Sequence, residues 1–171
     1  NKLCINKKMY KNNKKLIHIY TDGSCSPNPG IGGWGIIGFF IRKNNQYPIF
    51  LKNGYQYEST NNKMELQAMI EALKLIVKYG QNYKLNDKDK IKIYTDSAYV
   101  YNGLTKWMDK WKQKNWNKLK NRHLWTVLEF YLSNAKKKYP HLDIELIKAH
   151  SGIIGNEIAD KLAYQAKLKI V

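Results

Sequence analysis

The tetrapeptide Ile19-Tyr20-Thr21-Asp22 returns 74 positions later as Ile93-Tyr94-Thr95-Asp96, and each copy ends a β-rich run on a carboxylate followed by a small residue, Gly23 or Ser97. Two strand-like segments that each finish on an aspartate predict neighbouring strands presenting both carboxylates at one edge of a sheet. Such a pair is the beginning of a metal site. The rest of the chain must supply the remaining ligands.

The segments around the repeat define its setting. Leu16 to Asp22 reads as a strand, and Gly23-Ser24 with Pro27-Asn28-Pro29-Gly30 predicts a turn-dense loop. Ile36 to Ile41 and Tyr47 to Tyr55 read as two more strands around a turn at Asn44-Asn45, and such short connections predict an antiparallel meander. From Asn62 the apolar period becomes helical through Leu66, Met69, Leu73, Ile76 and Val77, with Gly80 as a stop and Asn62 with Glu65 spaced as a capping box. Lys90 to Asp96 is the next strand, and Leu104 to Trp116 an interrupted helix. Leu124 to Ala135 is an amphipathic helix closed by Pro140, and Leu142 to Ala149 a last strand. A final helix runs from about Asn156 to Lys169 beyond a loop framed by Gly152 and Gly155. Strands first, then strands alternating with helices, predict one mixed α/β sheet flanked by helices.

Charge indicates the partner. Thirty Lys and Arg against 13 Asp and Glu give +17 over 171 residues. Twelve of those charges fall in residues 1–15 and 106–122, which favours a directed patch for a polyanion over a diffusely soluble surface. No apolar run approaches the ~20 residues of a membrane span. Two cysteines, Cys4 and Cys25, build neither a disulfide framework nor a metal spacing, so a reducing, cytoplasmic setting is expected, with nucleus and organelles left open. The basic N-terminus lacks the apolar or Arg/Ser-rich pattern of a leader and reads as a tail. The first residue is Asn1, not Met, which leaves a segment upstream open.

Besides Asp22 and Asp96, Glu65 opens a helix and Asp160 lies in the terminal helix beyond the Gly-framed loop that holds His150. Four carboxylates from two strand ends and two helices are a suitable oxygen set for two hard divalent cations, which can activate water and stabilise a leaving oxygen in phosphoryl displacement. Taken singly, each residue has another reading. Glu65 fits a helix cap, Asp22 and Asp96 fit strand-closing turns, Asp160 fits a solvated acid, and His150 a structural histidine.

The ordered segments narrow the choice. Tyr20-Thr21-Asp22-Gly23-Ser24, Asn28-Pro29-Gly30 with Gly32-Gly33, Thr60 to Leu66, Thr95-Asp96-Ser97, and His150-Ser151-Gly152 through Gly155-Asn156-Glu157 to Asp160 resemble the type 1 ribonuclease H family. The resemblance spans residues 16 to about 166 and implies a ribonuclease H-like fold with a five-stranded mixed sheet whose first three strands are antiparallel. A basic tail (1–15) would precede a catalytic domain (16–171) carrying a basic helical handle at about 104–122. The implied activity is an endonuclease, most simply a free-standing monomer, that cuts the RNA strand of RNA·DNA hybrids and leaves 5′-phosphate and 3′-hydroxyl ends. Its cofactor would be Mg²⁺, two ions during catalysis, with Mn²⁺ as a substitute. By family role Asp22 would bridge both ions, Asp160 would serve the water-activating one, and Glu65 and Asp96 the one at the leaving oxygen. His150 would shuttle a proton or assist product release. A non-catalytic binding module would require a lost carboxylate, and all four are present.

The same resemblance assigns substrate contacts. Asn28, Asn61 and Asn62 would read the hybrid's minor groove, where 2′-hydroxyls distinguish RNA from DNA. Cys25 and Ser26 would approach the RNA strand, and Tyr99, Trp107 and Trp111 would line a channel for the DNA strand between Lys110, Lys112 and Lys114. Thr60 and Asn121 would form a phosphate pocket. Three positions depart from the family pattern. Glu58 stands where a basic residue is often found, which implies either a weaker pocket or Lys63 as the replacement; Ala98 stands where a larger side chain is common; and the basic handle is shorter than in the best-known bacterial members.

Overall fold

The computed structural model describes residues 14–169. Most of the tail expected at 1–15 therefore lies outside the described residues. Five strands form one sheet in the order β3-β2-β1-β4-β5. β1 (Leu16–Cys25), β2 (Gly30–Arg42) and β3 (Asn45–Ser59) pair antiparallel, while β4 (Lys90–Thr95) and β5 (Leu142–Leu146) run parallel to β1 on its other side. The expected five-stranded mixed sheet is present.

The alternation along β1 separates two cores. Ile17 and Ile19 face a large apolar layer under α1 (Asn61–Tyr79) and α4 (Arg122–Lys138), which contributes Leu66, Met69, Leu73, Leu128 and Leu132. Tyr20 belongs to a smaller cluster with Ile37, Phe39 and Ala159 under α5 (Ile154–Leu168). Between β4 and α4 lie two short helices, α2 (Ala98–Asn102) and α3 (Met108–Gln113), joined by a π-helical turn at Gly103–Trp107. This is the segment expected as an interrupted helix. No helix among the described residues is long and apolar enough to cross a membrane.

Several boundaries differ from the sequence reading, among them the start of β2, at Gly30 rather than Ile36. β1 runs on through Gly23 and Ser24 to Cys25, because Asp22 to Cys25 continue the ladder opposite Gly35 to Gly32 of β2. Only residues 26–29 turn. The glycines there answer close approach rather than a loop: a Cβ on Gly23 would sit 2.2 Å from the Met64 carbonyl carbon, and one on Gly33 2.0 Å from the Ala163 carbonyl oxygen. The cap of α1 is Thr60, whose Oγ1 accepts from Lys63 N–H at 3.3 Å, so Asn62 and Glu65 do not form the expected capping box. β5 ends at Leu146 instead of Ala149. β3 extends to Ser59, well past Tyr55, because Gly30 to Gly33 of β2 remain paired with it.

Candidate active site

The register of the parallel pair places the repeat. Thr21 lies opposite Thr95, and Thr21 Oγ1 donates to the Tyr94 carbonyl at 3.1 Å, so Asp22 and Asp96 emerge from adjacent strands at one level. Asp96 follows the last residue of β4, whereas Asp22 is held inside β1 opposite Gly35. Gly23 lets the first turn of α1 touch the backbone of β1, which brings Glu65 beside Asp22. Gly33 and Gly35 do the same for α5, whose Ala163 and Ala159 carbonyls would meet their Cβ atoms, and so Asp160 comes down on the opposite side. Carboxylate oxygens of Asp22, Glu65 and Asp96 lie within 4.8 Å of one another. Asp160 adjoins Asp22 closely enough to act on it through both charge and a hydrogen bond.

Two of these carboxyls are held toward the neutral form. Burial, and then the charges of Asp96 and Asp160, push the Asp22 carboxyl up to about 8. Burial raises the Glu65 carboxyl well above its ordinary range, with Asp22 and Asp96 adding to the effect. Glu65 Oε2 is buried with no hydrogen-bond partner. An all-oxygen, anionic, partly unsatisfied cluster is the donor set of a hard divalent cation, and the residues present fit one. Three of the four expected ligands, Asp22, Glu65 and Asp96, thus share one cluster, and the fourth, Asp160, adjoins it through Asp22.

The residues expected on the substrate side are linked by hydrogen bonds of their own. Cys25 N–H donates to Asn61 Oδ1 at 2.7 Å, and Asn61 N–H donates to Asn28 Oδ1 at 3.2 Å. Both amide oxygens are thus engaged, and the exposed NH₂ groups of Asn28 and Asn61 are left as outward donors. Asn62 and Ser26 are also exposed. Cys25 itself is buried, its thiol directed at the Pro27 and Ser59 carbonyls, so it supports Asn61 from beneath. Thr60 lines an open pocket of about 420 Å³ with Pro29, Gly30, Glu58, Ser59 and Lys63.

Around the segment expected as the handle, Tyr99, Trp111 and Trp125 form a ring chain, with Trp111 and Trp125 centroids 4.9 Å apart. Trp125 Nε1 and Asn121 Nδ2 both donate to Tyr99 Oη, at 2.9 and 3.1 Å. Trp107 leans on Trp111 at 5.8 Å and remains 38% exposed, so it is the ring most open to a ligand. Lys110, Lys112 and Lys114 are exposed, although Lys112 Nζ pairs with Glu129 at 2.7 Å. His150 is exposed in the turn before α5 with a left-handed backbone (φ 51°), and Ser151 Oγ closes that turn on the Lys148 carbonyl at 2.7 Å. Ala98 is exposed at the start of α2.

One residue at the site escaped the sequence reading as a site residue. Asn156, 3% exposed on α5, donates from Nδ2 to Asp96 Oδ2 at 3.2 Å. Its position inside the Gly155-Asn156-Glu157 motif was the available signal, but an amide at a helix start has no chemistry of its own to mark it.

Comparison with known proteins yields a consistent set. The family model described as RNase H matches residues 13–167. Ribonuclease H of Orientia tsutsugamushi (strain Boryong) is 41% identical over 158 residues, covering 90% of this chain and 83% of that protein. Ribonuclease HI of Haemophilus ducreyi (strain 35000HP) is 38% identical over 154 residues, covering 87% and 88%. Among solved structures, LC9-RNase H1, a type 1 RNase H with the type 2 active-site motif, superposes with a TM-score of 0.74 at 24% identity over 94% of this chain and 75% of that one, which supports the fold. LC11-RNase H1, from a compost metagenome and solved in complex with an RNA/DNA hybrid, has a TM-score of 0.65 at 25% identity, covering 90% and 98%.

Proposed function

The chain belongs to the ribonuclease H family, and on that premise we propose that it is an endonuclease hydrolysing the RNA strand of RNA·DNA hybrids, leaving 5′-phosphate and 3′-hydroxyl ends. The observation that carries this reading is the buried carboxylate cluster, set in a chain of net charge +17. Divalent cations held there, two Mg²⁺ with Mn²⁺ as a substitute, supply Lewis-acid activation of water and stabilisation of the leaving oxygen. Asp22, buried and adjoining both Glu65 and Asp160, would be the carboxylate common to both cations. Glu65 and Asp96 serve the leaving-oxygen side, and Asp160 the water side. His150, exposed on its loop, would move a proton or assist release of product.

Recognition follows from the amide arrangement. Asn28 and Asn61 each present an NH₂ group, and with Asn62 they suit the acceptors of a minor groove, including the 2′-hydroxyls that separate RNA from DNA. Ser26 stands beside them, and Cys25 fixes the angle of Asn61. Thr60 and Asn121 serve phosphate, with Lys63 in the same pocket as Thr60 supplying the cation that Glu58 does not. Trp107 offers a stacking face to the DNA strand, backed by Trp111 and Tyr99, between Lys110 and Lys114. A monomer suffices, since every residue invoked comes from one chain, and a free, buried Cys25 is compatible with the reducing cytoplasm.

The test is a gel assay of RNA·DNA, RNA·RNA and DNA·DNA duplexes of one sequence, each with Mg²⁺ and with EDTA. Cleavage confined to the RNA strand of the hybrid, and only with Mg²⁺, is the expected outcome. Equal cleavage of RNA·RNA, or cleavage in EDTA, refutes the reading.

A further inference from the structure

Among the described residues, two buried side-chain oxygens lack a hydrogen-bond partner, and both belong to groups at the carboxylate cluster: Glu65 Oε2 and Asn156 Oδ1. Leaving a buried acceptor unsatisfied costs about 1–3 kcal/mol, so two in one place mark a position where something else completes the bonding. For Glu65 the missing partner is accounted for by a cation. Asn156 is a neutral amide on the third residue of α5, and it does not cap the helix: the N-cap is Ile153, which makes no side-chain cap bond. Its side chain is instead spent on the cluster. Nδ2 reaches across to Asp96 Oδ2 at 3.2 Å, linking the start of α5 to the end of β4 over 60 residues of sequence.

Asp96 has need of such a link. It is the first residue beyond β4, outside the ladder that fixes Asp22, and its carboxylate is half-buried rather than enclosed. Ser97 N–H is tied back to Thr95 Oγ1 at 3.1 Å, which fixes the backbone on the far side but leaves the Asp96 side chain free to turn. The Asn156 amide restrains one carboxylate oxygen and leaves Oδ1 of Asp96 for a ligand. We propose that Asn156 is a positioning residue of the cation site: Nδ2 holds Asp96 in its ligating orientation, and Oδ1 accepts a hydrogen bond from water in the hydration shell of the bound ion. The inference rests on the function proposed above and extends it to a residue that is not itself a ligand. Outer partners of this kind commonly change metal affinity 10- to 100-fold when removed.

The experiment compares wild type with Asn156→Ala and Asn156→Ser, two side chains compatible with the helix start and too short to reach Asp96. Mg²⁺ is titrated into each protein without substrate by calorimetry, melting temperature is recorded in EDTA and in Mg²⁺, and kcat and KM for a hybrid are measured across Mg²⁺ concentrations. The expected result is a 10- to 100-fold loss of Mg²⁺ affinity, a smaller Mg²⁺-induced rise in melting temperature, and a kcat partly restored by excess Mg²⁺ at unchanged KM for the hybrid. Mg²⁺ affinity within twofold of wild type overturns the proposal. So does a lower melting temperature in EDTA with the Mg²⁺-induced rise intact, since that is the mark of packing alone. Wild type that neither binds Mg²⁺ nor cuts hybrid would refute the parent function and this inference with it, whereas active wild type matched by both variants refutes this inference only.

Discussion

Replacing Asp22 by Asn is expected to destroy cleavage and at the same time stabilise the metal-free protein. In the folded chain the Asp22 carboxyl is pushed up to about 8 by burial and by the charges of Asp96 from the end of β4 and Asp160 from α5, partly offset by a hydrogen bond with Glu65 of α1. In the unfolded chain it titrates near its ordinary value of 3.8. Between those limits the folded state holds a proton that the unfolded state has released, so unfolding stability must fall as pH rises through this window. The stabilising term is intact below about pH 4 and lost above about pH 8. Its ceiling is ~1.4 kcal/mol per pH unit, which over the window gives about 6 kcal/mol. Glu65 is itself raised, by burial and then by Asp22, so its titration is tied to that of Asp22 and a net on the order of 3 kcal/mol is the reasoned figure. At roughly 2–4 °C per kcal/mol for a domain of this size, Asp22→Asn in EDTA at pH 8 is expected to melt about 6–12 °C above wild type, with the gap closing toward pH 4. The difference between the two proteins cancels titrations common to both. Scanning calorimetry from pH 4 to 8 in EDTA, repeated in Mg²⁺, measures it. In Mg²⁺ the gap should shrink or reverse, because the ion stabilises wild type by binding the folded state. A mutant no more stable than wild type at pH 8 in EDTA, or a pH-independent gap, refutes the electrostatic account of the cluster. Hybrid cleavage by the mutant at the wild-type rate refutes its catalytic role.

Two further predictions concern substrate. Changing Lys110, Lys112 and Lys114 to Gln is expected to weaken hybrid binding in EDTA and reduce the slope of log affinity against log salt by roughly 2, less than the ~0.9 per phosphate contact expected of three free lysines, because Lys112 is already paired with Glu129; a filter-binding salt series that leaves the slope unaltered moves the contact elsewhere. Asn61→Asp keeps the oxygen that accepts from Cys25 N–H but turns the outward donor into an acceptor. Loss of 1–3 kcal/mol of discrimination, about 5- to 150-fold in kcat/KM for the hybrid, should follow with little change in melting temperature, and an unchanged kcat/KM would show that this amide does not meet the substrate.

Why some of this was readable from the sequence and some was not follows from what each residue responds to. The repeated Ile-Tyr-Thr-Asp is legible because strand alternation is local and a carboxylate ending an apolar run is conspicuous; the parallel pairing of Thr21 with Thr95 then makes the two aspartates neighbours. Glycine is ambiguous in the same text. Gly23 reads as turn punctuation, yet it lies in β1, as Gly33 and Gly35 lie in β2, and the crowding that excludes a side chain at all three comes from Met64, Ala163 and Ala159, residues distant in sequence. The capping box failed for a related reason: Thr60 and Asn62 are both competent caps, and the choice between them is made by where β3 delivers the chain to the start of α1. Once Thr60 caps, Glu65 is released from local duty and reaches Asp22, so the error in the cap and the correct assignment of Glu65 to the cluster are one fact seen from two sides. Asn156 lies further from the text still. An asparagine in a helix-start motif gives no sign that its amide spans to β4, and its unpartnered oxygen exists only because the fold has enclosed it. Residues that carry charge into a core announce themselves by their cost; the neutral groups that aim them become visible only when the hydrogen bonds of the folded chain are accounted for.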